Sequence, residues 1–312
     1  MTSLRRWWLA AVLCLSVAPL YAQDKPKDKS DLPSPSDVTI ETPDGVLLRA
    51  TYYPSLKGRE AVPIILLPDH VNADKSPGSR SDYRDLCLTL QAAGHAPLAV
   101  DWRGIGESTA YRNGMKIEVE KLRAQVLEAV TTIDMEAIKN WLMAKNNLGE
   151  CNIDKLSVVA AGASTPVAIN WAVRDWAWPI LPGRGKQGQD VKALVLLSPV
   201  WNAAGYGIDQ GVNLLAANRG VSVQIAVGGR GGSKLLKEAG KLNDRIKAAR
   251  PEPKDQKPED AIKNRTLIYF EYETQFQGVK LLGQQKKLLE EHIVKFEELR
   301  CVNQDYPWQQ RQ

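Results

Sequence analysis

Several short segments of the chain are apolar at nearly every position, and they limit the possible fold more than any other feature. They are "VPIILL", "APLAVD", "LSVVAA" and "VKALVLLS". A strand without a polar face has to be covered on both sides, as central strands of parallel sheets are. Segments of helical periodicity lie between these strands, among them residues 81–94 and 121–145. The alternation predicts an α/β fold, a doubly wound, eight-stranded, mostly parallel sheet flanked by helices.

The remaining segments complete this sheet without a second domain. "VTIET" and "VLLRATYY" are joined by Pro-Asp-Gly, which favours an antiparallel hairpin. "VSVQIAV" and "RTLIYFEY" are the last predicted strands, and residues 279–300 form a long amphipathic helix. The lysine- and proline-rich segment 250–263 is expected to be a surface insertion.

The N-terminal residues have the pattern of a secretory signal peptide. Arg5 and Arg6 precede an apolar run, which ends in a small residue at Ala22. The run is shorter than the ~20 residues of a membrane-spanning helix, although an uncleaved anchor is the alternative. We therefore expect cleavage of residues 1–22 and a periplasmic or extracellular location without a membrane span in the mature chain. The pattern leaves Sec and twin-arginine export open.

Composition then divides the mature chain into regions. Residues 23–37 are charged and proline-rich without apolar periodicity, which predicts a disordered linker. The α/β domain is expected over residues 38–301, followed by a C-terminal tail at 302–312.

Several function classes have no support in the sequence. The chain has 41 basic and 36 acidic residues and a net charge of +5, and no basic stretch is interleaved with aromatic residues, so nucleic acid is not an expected partner. It contains no His-x-x-x-His or Cys-x-x-Cys pair, so no metal or cofactor is predicted. The partner, a small molecule or a protein, and the oligomeric state stay open.

The turn after "LSVVAA" has the composition of a nucleophile elbow. The elbow pattern Gly-x-Ser-x-Gly reads here Gly162-Ala163-Ser164-Thr165-Pro166, with proline in place of the second glycine. Proline is compatible with a first helical turn, so the turn can still form. Ser164 is then either a nucleophile in a degenerate elbow or a cap of the following helix.

Three motifs in order resemble the α/β-hydrolase superfamily, in particular dienelactone hydrolases and serine aminopeptidases. They are "TPDGVLLRATYYP" at 42–54, "DWRGIGES" at 101–108 and "VKALVLLSP" at 191–199. The resemblance extends over residues 38–300 and implies an α/β-hydrolase fold. It also implies a serine nucleophile at Ser164, an acid after the seventh strand and a histidine after the eighth.

Two of these implied catalytic groups are missing. The loop 228–234 after the seventh strand, "GGRGGSK", has no carboxylate. Gln277 stands before Gly278 where the family has its histidine, and glutamine cannot accept a proton at neutral pH. The sequence therefore predicts a pseudo-hydrolase that binds a ligand or partner, with Gly162 and Gln277 near the binding site.

An active serine esterase or peptidase is the alternative. In the family's strand order the third strand lies between the fourth and the fifth, so His70 could stand between Asp101 and Ser164 at one sheet edge. In this arrangement the three side chains would have the roles of a Ser-His-Asp triad. The other interpretation is structural, with Asp101 holding the Arg-Gly turn and His70 bonded within its loop.

The cysteines give one further expectation. Cys87 falls on an apolar helix face, which predicts a buried free thiol. Cys151 and Cys301 are both expected at the amino edge of the sheet. In a compartment that permits disulfides they are predicted to form a bridge.

Overall fold

The computed structural model describes residues 32–117, 121–182, 185–230, 234–251, 264–284 and 287–311. The central sheet contains β1 (Ser36–Glu41), β2 (Leu47–Tyr52), β3 (Pro63–Leu67), β4 (Ala96–Asp101), β5 (Leu156–Ala161), β6 (Val191–Leu197), β9 (Ser222–Gly228) and β10 (Leu267–Tyr272). A separate small hairpin contains β7 (Asn202–Ala203) and β8 (Tyr206–Gly207). The helices are α1 (Arg84–Ala92), α2 (Ala124–Ala129), α3 (Met135–Asn147), α4 (Thr165–Ala177), α5 (Asp209–Ala217), α6 (Lys234–Ala249) and α7 (Leu288–Glu297).

The eight strands of the sheet lie in the order β1-β2-β4-β3-β5-β6-β9-β10. The β1–β2 and β2–β4 pairs are antiparallel, and all other neighbours are parallel. This confirms the predicted doubly wound, mostly parallel sheet. It also places β3 between β4 and β5, so the loops after these strands meet at one edge.

Apolar side chains cover both faces of the sheet. Helices α2 to α6 pack on one face, with buried contacts such as Leu127, Ile138 and Ile169. Helices α1 and α7 cover the other face through residues such as Leu86 and Phe296. The central strands β3 to β6 and β9 are buried at every position, and most of their residues are apolar, as expected of strands covered on both faces.

Two helices differ from their predicted form. The segment 121–145 is interrupted by a π-helical stretch at Val130–Asp134, where hydrogen bonds between residues five apart replace those between residues four apart. The last helix begins only at Leu288, because Lys287 has a left-handed backbone at φ 67°. Residues Gly278–Leu281 before it form a short 3₁₀ turn instead.

The three cysteines in the described residues, Cys87, Cys151 and Cys301, are buried free thiols. This confirms the prediction for Cys87, but the predicted Cys151–Cys301 bridge is wrong. Cys151 packs in the core on the α2–α6 face of the sheet, whereas Cys301 packs under α7 on the other face. The sheet separates them, so sharing its amino edge does not bring their sulfur atoms together.

The described part of the C-terminal segment packs on the domain. Trp308 stacks on Arg59 at 4.0 Å, and the Arg311 side chain is buried and bonded to Asp190 at 2.7 Å. At the other end β1 begins at Ser36, inside the segment predicted as linker. No helix in the described ranges has the length and apolarity that crossing a membrane requires.

Candidate functional site

A small cavity lies at the carboxyl edge of the sheet, where the loops after β3, β5, β6 and β10 converge. Its volume is about 130 Å³. The described residues that line it are Asp69, Val71, Asn72, Ala73, Gly162, Ser198, Val200, Leu235, Gln277 and Gly278. The site predicted around Gly162 and Gln277 therefore exists as a cavity.

The turn after β5 places a glycine, and not a serine, at the sharpest point of the backbone. Gly162 follows β5 directly and has a left-handed backbone at φ 52°. In α/β-hydrolases the nucleophile is the residue on this strained strand-to-helix turn. By backbone position the five-residue elbow pattern therefore covers residues 160–164. The match to the serine places it two residues later, at 162–166. Gly162 stands where the nucleophile belongs, and Ser164 stands where the second glycine belongs.

The Ser164 hydroxyl is buried and bonded to backbone groups. It accepts a hydrogen bond from the Ala161 N–H at 3.1 Å, and it lies 2.9 Å from the carbonyl oxygens of both Leu67 and Ala161. These bonds join the start of the turn to the end of β3. The geometry gives Ser164 a structural role in the turn, but not the predicted capping role, because its side chain makes no capping hydrogen bond at the start of α4.

The Asp69 carboxylate fills the space that a nucleophile would need. Asp69 Oδ1 accepts the Ala163 N–H at 2.9 Å and the His70 N–H at 2.7 Å. A Cβ atom added at Gly162 would overlap this carboxylate. In the hydrolase elbow, the amide after the nucleophile and an amide of the β3–αA loop bind the oxyanion. Here both amides already bind a carboxylate of the chain itself.

Burial sets the protonation behaviour of Asp69. It raises the pKa of this carboxyl to about 6, although hydrogen bonds from the Ala163, His70 and Val71 amides act in the opposite direction. A carboxylate at this position is thus held by amides, without an ion pair to any described side chain.

Gln277 is bonded to the ends of two strands. Its Oε1 accepts the Ser198 hydroxyl at 2.7 Å and the Gly228 N–H at 3.2 Å, while its Nε2 donates to the Gly228 carbonyl at 2.8 Å. The Ser198 oxygen in turn accepts the Gly278 N–H at 2.8 Å. Gln277 therefore stands where the family has a proton acceptor, and its hydrogen bonds join the ends of β6 and β9 to the turn after β10.

Asp101 and His70 do not join Ser164 in a triad. Asp101 is fully buried, accepts the amides of Arg80 at 2.6 Å and Glu107 at 3.0 Å, and pairs with the Arg80 guanidinium. The His70 ring lies 5.9 Å from that of Trp102, and burial lowers the pKa of His70. The three side chains share a sheet edge as expected, but the hydrogen bonds described for Ser164 and Asp101 go to other groups.

The role of Asp69 was missed in the sequence, although a signal was present. Asp69 directly precedes His70 in the loop after β3, where the family builds part of its oxyanion hole. A carboxylate in that loop is placed to occupy the oxyanion hole itself. Its contact with Ala163 depends on the β3–β5 pairing and is invisible in either segment alone.

No metal site accompanies the cavity in the part of the chain that the structure describes. No group of three or more His, Cys, Asp or Glu side chains is placed to hold an ion there. His95 is buried at the amino edge of the sheet. His292 belongs to α7, and its ring is hydrogen-bonded to the Tyr272 hydroxyl at 2.7 Å. Neither histidine lines the cavity.

No protein-family model and no curated protein sequence matches this chain. Solved structures do match. An esterase of Pyrococcus furiosus has a TM-score of 0.60 at 16% identity, with 89% of this chain and 94% of that chain covered. A dienelactone hydrolase of Anabaena variabilis has a TM-score of 0.51 at 14% identity, covering 86% and 99%.

Esterase 2 of Thermogutta terrifontis, in a structure phosphoramylated by tabun, has a TM-score of 0.53 at 13% identity. It covers 86% of this chain and 94% of its own. At such identities the similarity concerns the fold alone, and it agrees with the mostly parallel, helix-flanked sheet. The chain has the α/β-hydrolase fold.

Proposed function

We propose that this protein is a pseudo-hydrolase, an exported protein of α/β-hydrolase fold that binds a ligand or partner and does not hydrolyse esters through a serine. One observation carries the proposal. The Asp69 carboxylate accepts the two amides of the expected oxyanion hole and lies over Gly162, the residue at the nucleophile's position.

Serine hydrolysis requires a nucleophile, a base that takes its proton and donors for the oxyanion. Here Gly162, at the nucleophile's position, has no side chain, and Gln277 stands where the base belongs. The oxyanion donors already bind the Asp69 carboxylate. Loss of triad members in serine hydrolases lowers turnover by ~10⁴–10⁶. A carboxylate in the oxyanion hole adds repulsion against the developing charge of the transition state.

The alternative is an esterase or peptidase that uses Ser164 with His70 and Asp101. In its favour is the strand order, which brings the loops after β3, β4 and β5 to one edge. Against it is the Ser164 hydroxyl, which is buried and bonded to the Leu67 and Ala161 backbone. A reaction would have to break these bonds and expose the hydroxyl first.

The test compares ester hydrolysis by the purified mature chain and its Ser164→Ala variant, with a p-nitrophenyl ester as substrate. We expect equal rates, and we expect a fluorophosphonate probe to leave Ser164 unmodified. Thermal melts show whether the variant is folded. Turnover that depends on Ser164 and disappears in His70→Ala would establish the alternative and overturn the pseudo-hydrolase.

The export part of the proposal is tested separately. The basic start, the apolar run and Ala22 support it. We expect N-terminal sequencing of the exported protein to begin at Gln23. A mature chain that retains residues 1–22 would contradict cleavage.

A further inference from the structure

We propose that the cavity beside Asp69 binds a small organic cation, specifically the ammonium group of a primary alkylamine, with Asp69 as its counter-ion. The proposal rests on the proposed function, because it assigns a ligand class to the site that a pseudo-hydrolase retains. It is carried by the charge, the polar groups and the size of this cavity.

The charge of the cavity is negative. Of the described residues that line it, Asp69 is the one that carries a charge. The nearby cation Lys280 pairs at 3.0 Å with Asp74, which is an exposed carboxylate of the same loop. A half-buried carboxylate that is held only by amides gains from a cation, since an opposite charge within ~4–6 Å stabilises its ionised form.

Asn72 lines the cavity, but its amide is not free to bind a ligand. The residue is 4% exposed, and its Oδ1 is enclosed by protein without a hydrogen-bond partner. Its Nδ2 donates to Ser76 Oγ at 3.2 Å and to Asp82 Oδ2 at 3.0 Å, which fixes the orientation of the amide. The Asp69 carboxylate is therefore the acceptor that a ligand in the cavity meets.

The other polar groups do not compete for the ligand. Ser198 and Gln277 bond each other at 2.7 Å. The ligand therefore meets one charged acceptor, the Asp69 carboxylate. An ammonium group, which has three donors and no acceptor, matches this pattern. A carboxylate or phosphate would find its amide donors already occupied by Asp69.

The size and the apolar wall fit an alkyl chain. The volume of about 130 Å³ is close to that of a ~150 Å³ protein cavity that binds benzene, so roughly six heavy atoms fit. Val71, Ala73, Val200 and Leu235 form the apolar part of the lining. An n-butylammonium ion has the required charge, donors and length.

The experiment measures n-butylammonium binding to the mature chain at pH 7.5 by isothermal titration calorimetry and by ligand-observed NMR. Neutral 1-butanol and anionic butyrate are matched probes of the same length. We expect saturable binding of n-butylammonium that is at least about tenfold tighter than that of either matched probe, because a charge-assisted hydrogen bond contributes this much.

Three variants locate the site. Asp69→Asn keeps an oxygen for the Ala163 amide but removes the charge, and we expect affinity to fall about tenfold or more. Asp85→Asn removes an exposed carboxylate of α1, leaves the Lys280–Asp74 pair intact and should change affinity less than about twofold. Val200→Trp fills the cavity without touching the charge, and it should abolish binding in a protein that still melts cooperatively.

Equal binding of the three probes, equal effects of Asp69→Asn and Asp85→Asn, or no binding to the folded protein would overturn the proposal. These outcomes are independent of ester hydrolysis. A Ser164-dependent esterase could still bind the amine, and a protein without esterase activity could fail to bind it, so the two proposals fail separately.

Discussion

Two buried aspartates at opposite ends of the sheet have opposite protonation behaviour. Burial raises the pKa of Asp69, at the carboxyl edge, to about 6. Burial acts in the same direction on Asp190, at the amino edge, but Lys139, Arg311 and Lys186 outweigh it and lower the pKa of Asp190 to about 2. The chain therefore neutralises a buried carboxylate at one edge and leaves one without a cation at the other.

The amino edge is a complete charge network. Lys139 Nζ lies 2.8 Å from Asp190 and also pairs with Asp175, while Arg311 pairs with Asp190 at 2.7 Å and with Asp154 at 3.0 Å. Asp175 and Asp190 are almost fully buried. The network fastens α3, α4 and the C-terminal segment to one another, and it supplies Asp175 and Asp190 with counter-ions from the chain itself.

The comparison indicates where function is to be sought. A buried charge with its counter-ions in place is an element of structure, whereas a buried charge held by amides alone is a site for an external counter-ion. By this criterion the Asp190 network stabilises the fold, and Asp69 is the carboxylate to test for ligand binding.

The largest expected effect is at the amino edge. Lys139→Ala removes the cation between Asp175 and Asp190, and breaking a buried ion pair in this way costs about 3–5 kcal/mol. We expect a loss of this size in the free energy of unfolding, measured by urea denaturation. Lys145→Ala on the same helix is the control, because its pair with Glu150 is partly exposed and should contribute less than about 1 kcal/mol. Equal losses would refute the distinction between the two kinds of pair.

The next effect is at the elbow. Gly162→Ala combines a left-handed backbone with an overlap between the new Cβ and the Asp69 carboxylate, so we expect a loss of about 2–4 kcal/mol in stability. Gly114→Ala, which has the same backbone region but open space around it, should cost about 1 kcal/mol.

A double-mutant cycle shows whether the carboxylate causes the difference. In an Asp69→Ala background the added Cβ meets no carboxylate, so the further cost of Gly162→Ala should fall to about 1 kcal/mol. Additive losses in urea denaturation would mean that Asp69 does not occupy the nucleophile's place.

The sheet could be predicted from the sequence because its central strands β3 to β6 are buried on both faces and are therefore largely apolar. Helix ends were harder, since the periodicity of residues 279–300 continues across Lys287, whose left-handed backbone prevents one continuous helix. The faces of the sheet were not predictable for Cys151 and Cys301, because an expected sheet edge does not specify which side a thiol packs on.

The absence of the catalytic histidine could be predicted from the sequence. The Asp69 carboxylate that occupies the oxyanion hole could not. Gln277 could be identified because the resemblance specifies a histidine at one position. The elbow was placed two residues late because the pattern was matched to the serine at Ser164, whereas backbone conformation marks Gly162. The contact between Asp69 and Ala163 joins residues far apart in the chain, which local patterns do not specify.

The smallest expected effect concerns pH and tests whether Asp69 lacks a counter-ion. A carboxyl whose pKa is about 6 in the folded protein and ~4 in the unfolded chain binds more protons when folded, so its contribution to stability falls as the pH rises from 4 to 7. The titratable neighbours of Asp69 are His70, in the next position, and Tyr83, whose pKa is raised by burial and by Asp69.

Asp69→Asn has no such dependence but keeps an acceptor for the amides. Relative to the native chain, the variant should therefore gain about 1–2 kcal/mol of stability between pH 4 and pH 7, less than the full pKa shift because the cavity admits solvent. Thermal melts of both proteins across this range measure the difference. Asp74→Asn is the control. Hydrogen bonds from Ser76 and Lys280 lower the pKa of Asp74 to about 2, so this carboxyl stays ionised in the folded chain above pH 4, and the variant should follow the native chain between pH 4 and pH 7. A constant difference between Asp69→Asn and the native chain would mean that Asp69 is already neutralised, and that the two edges of the sheet are alike.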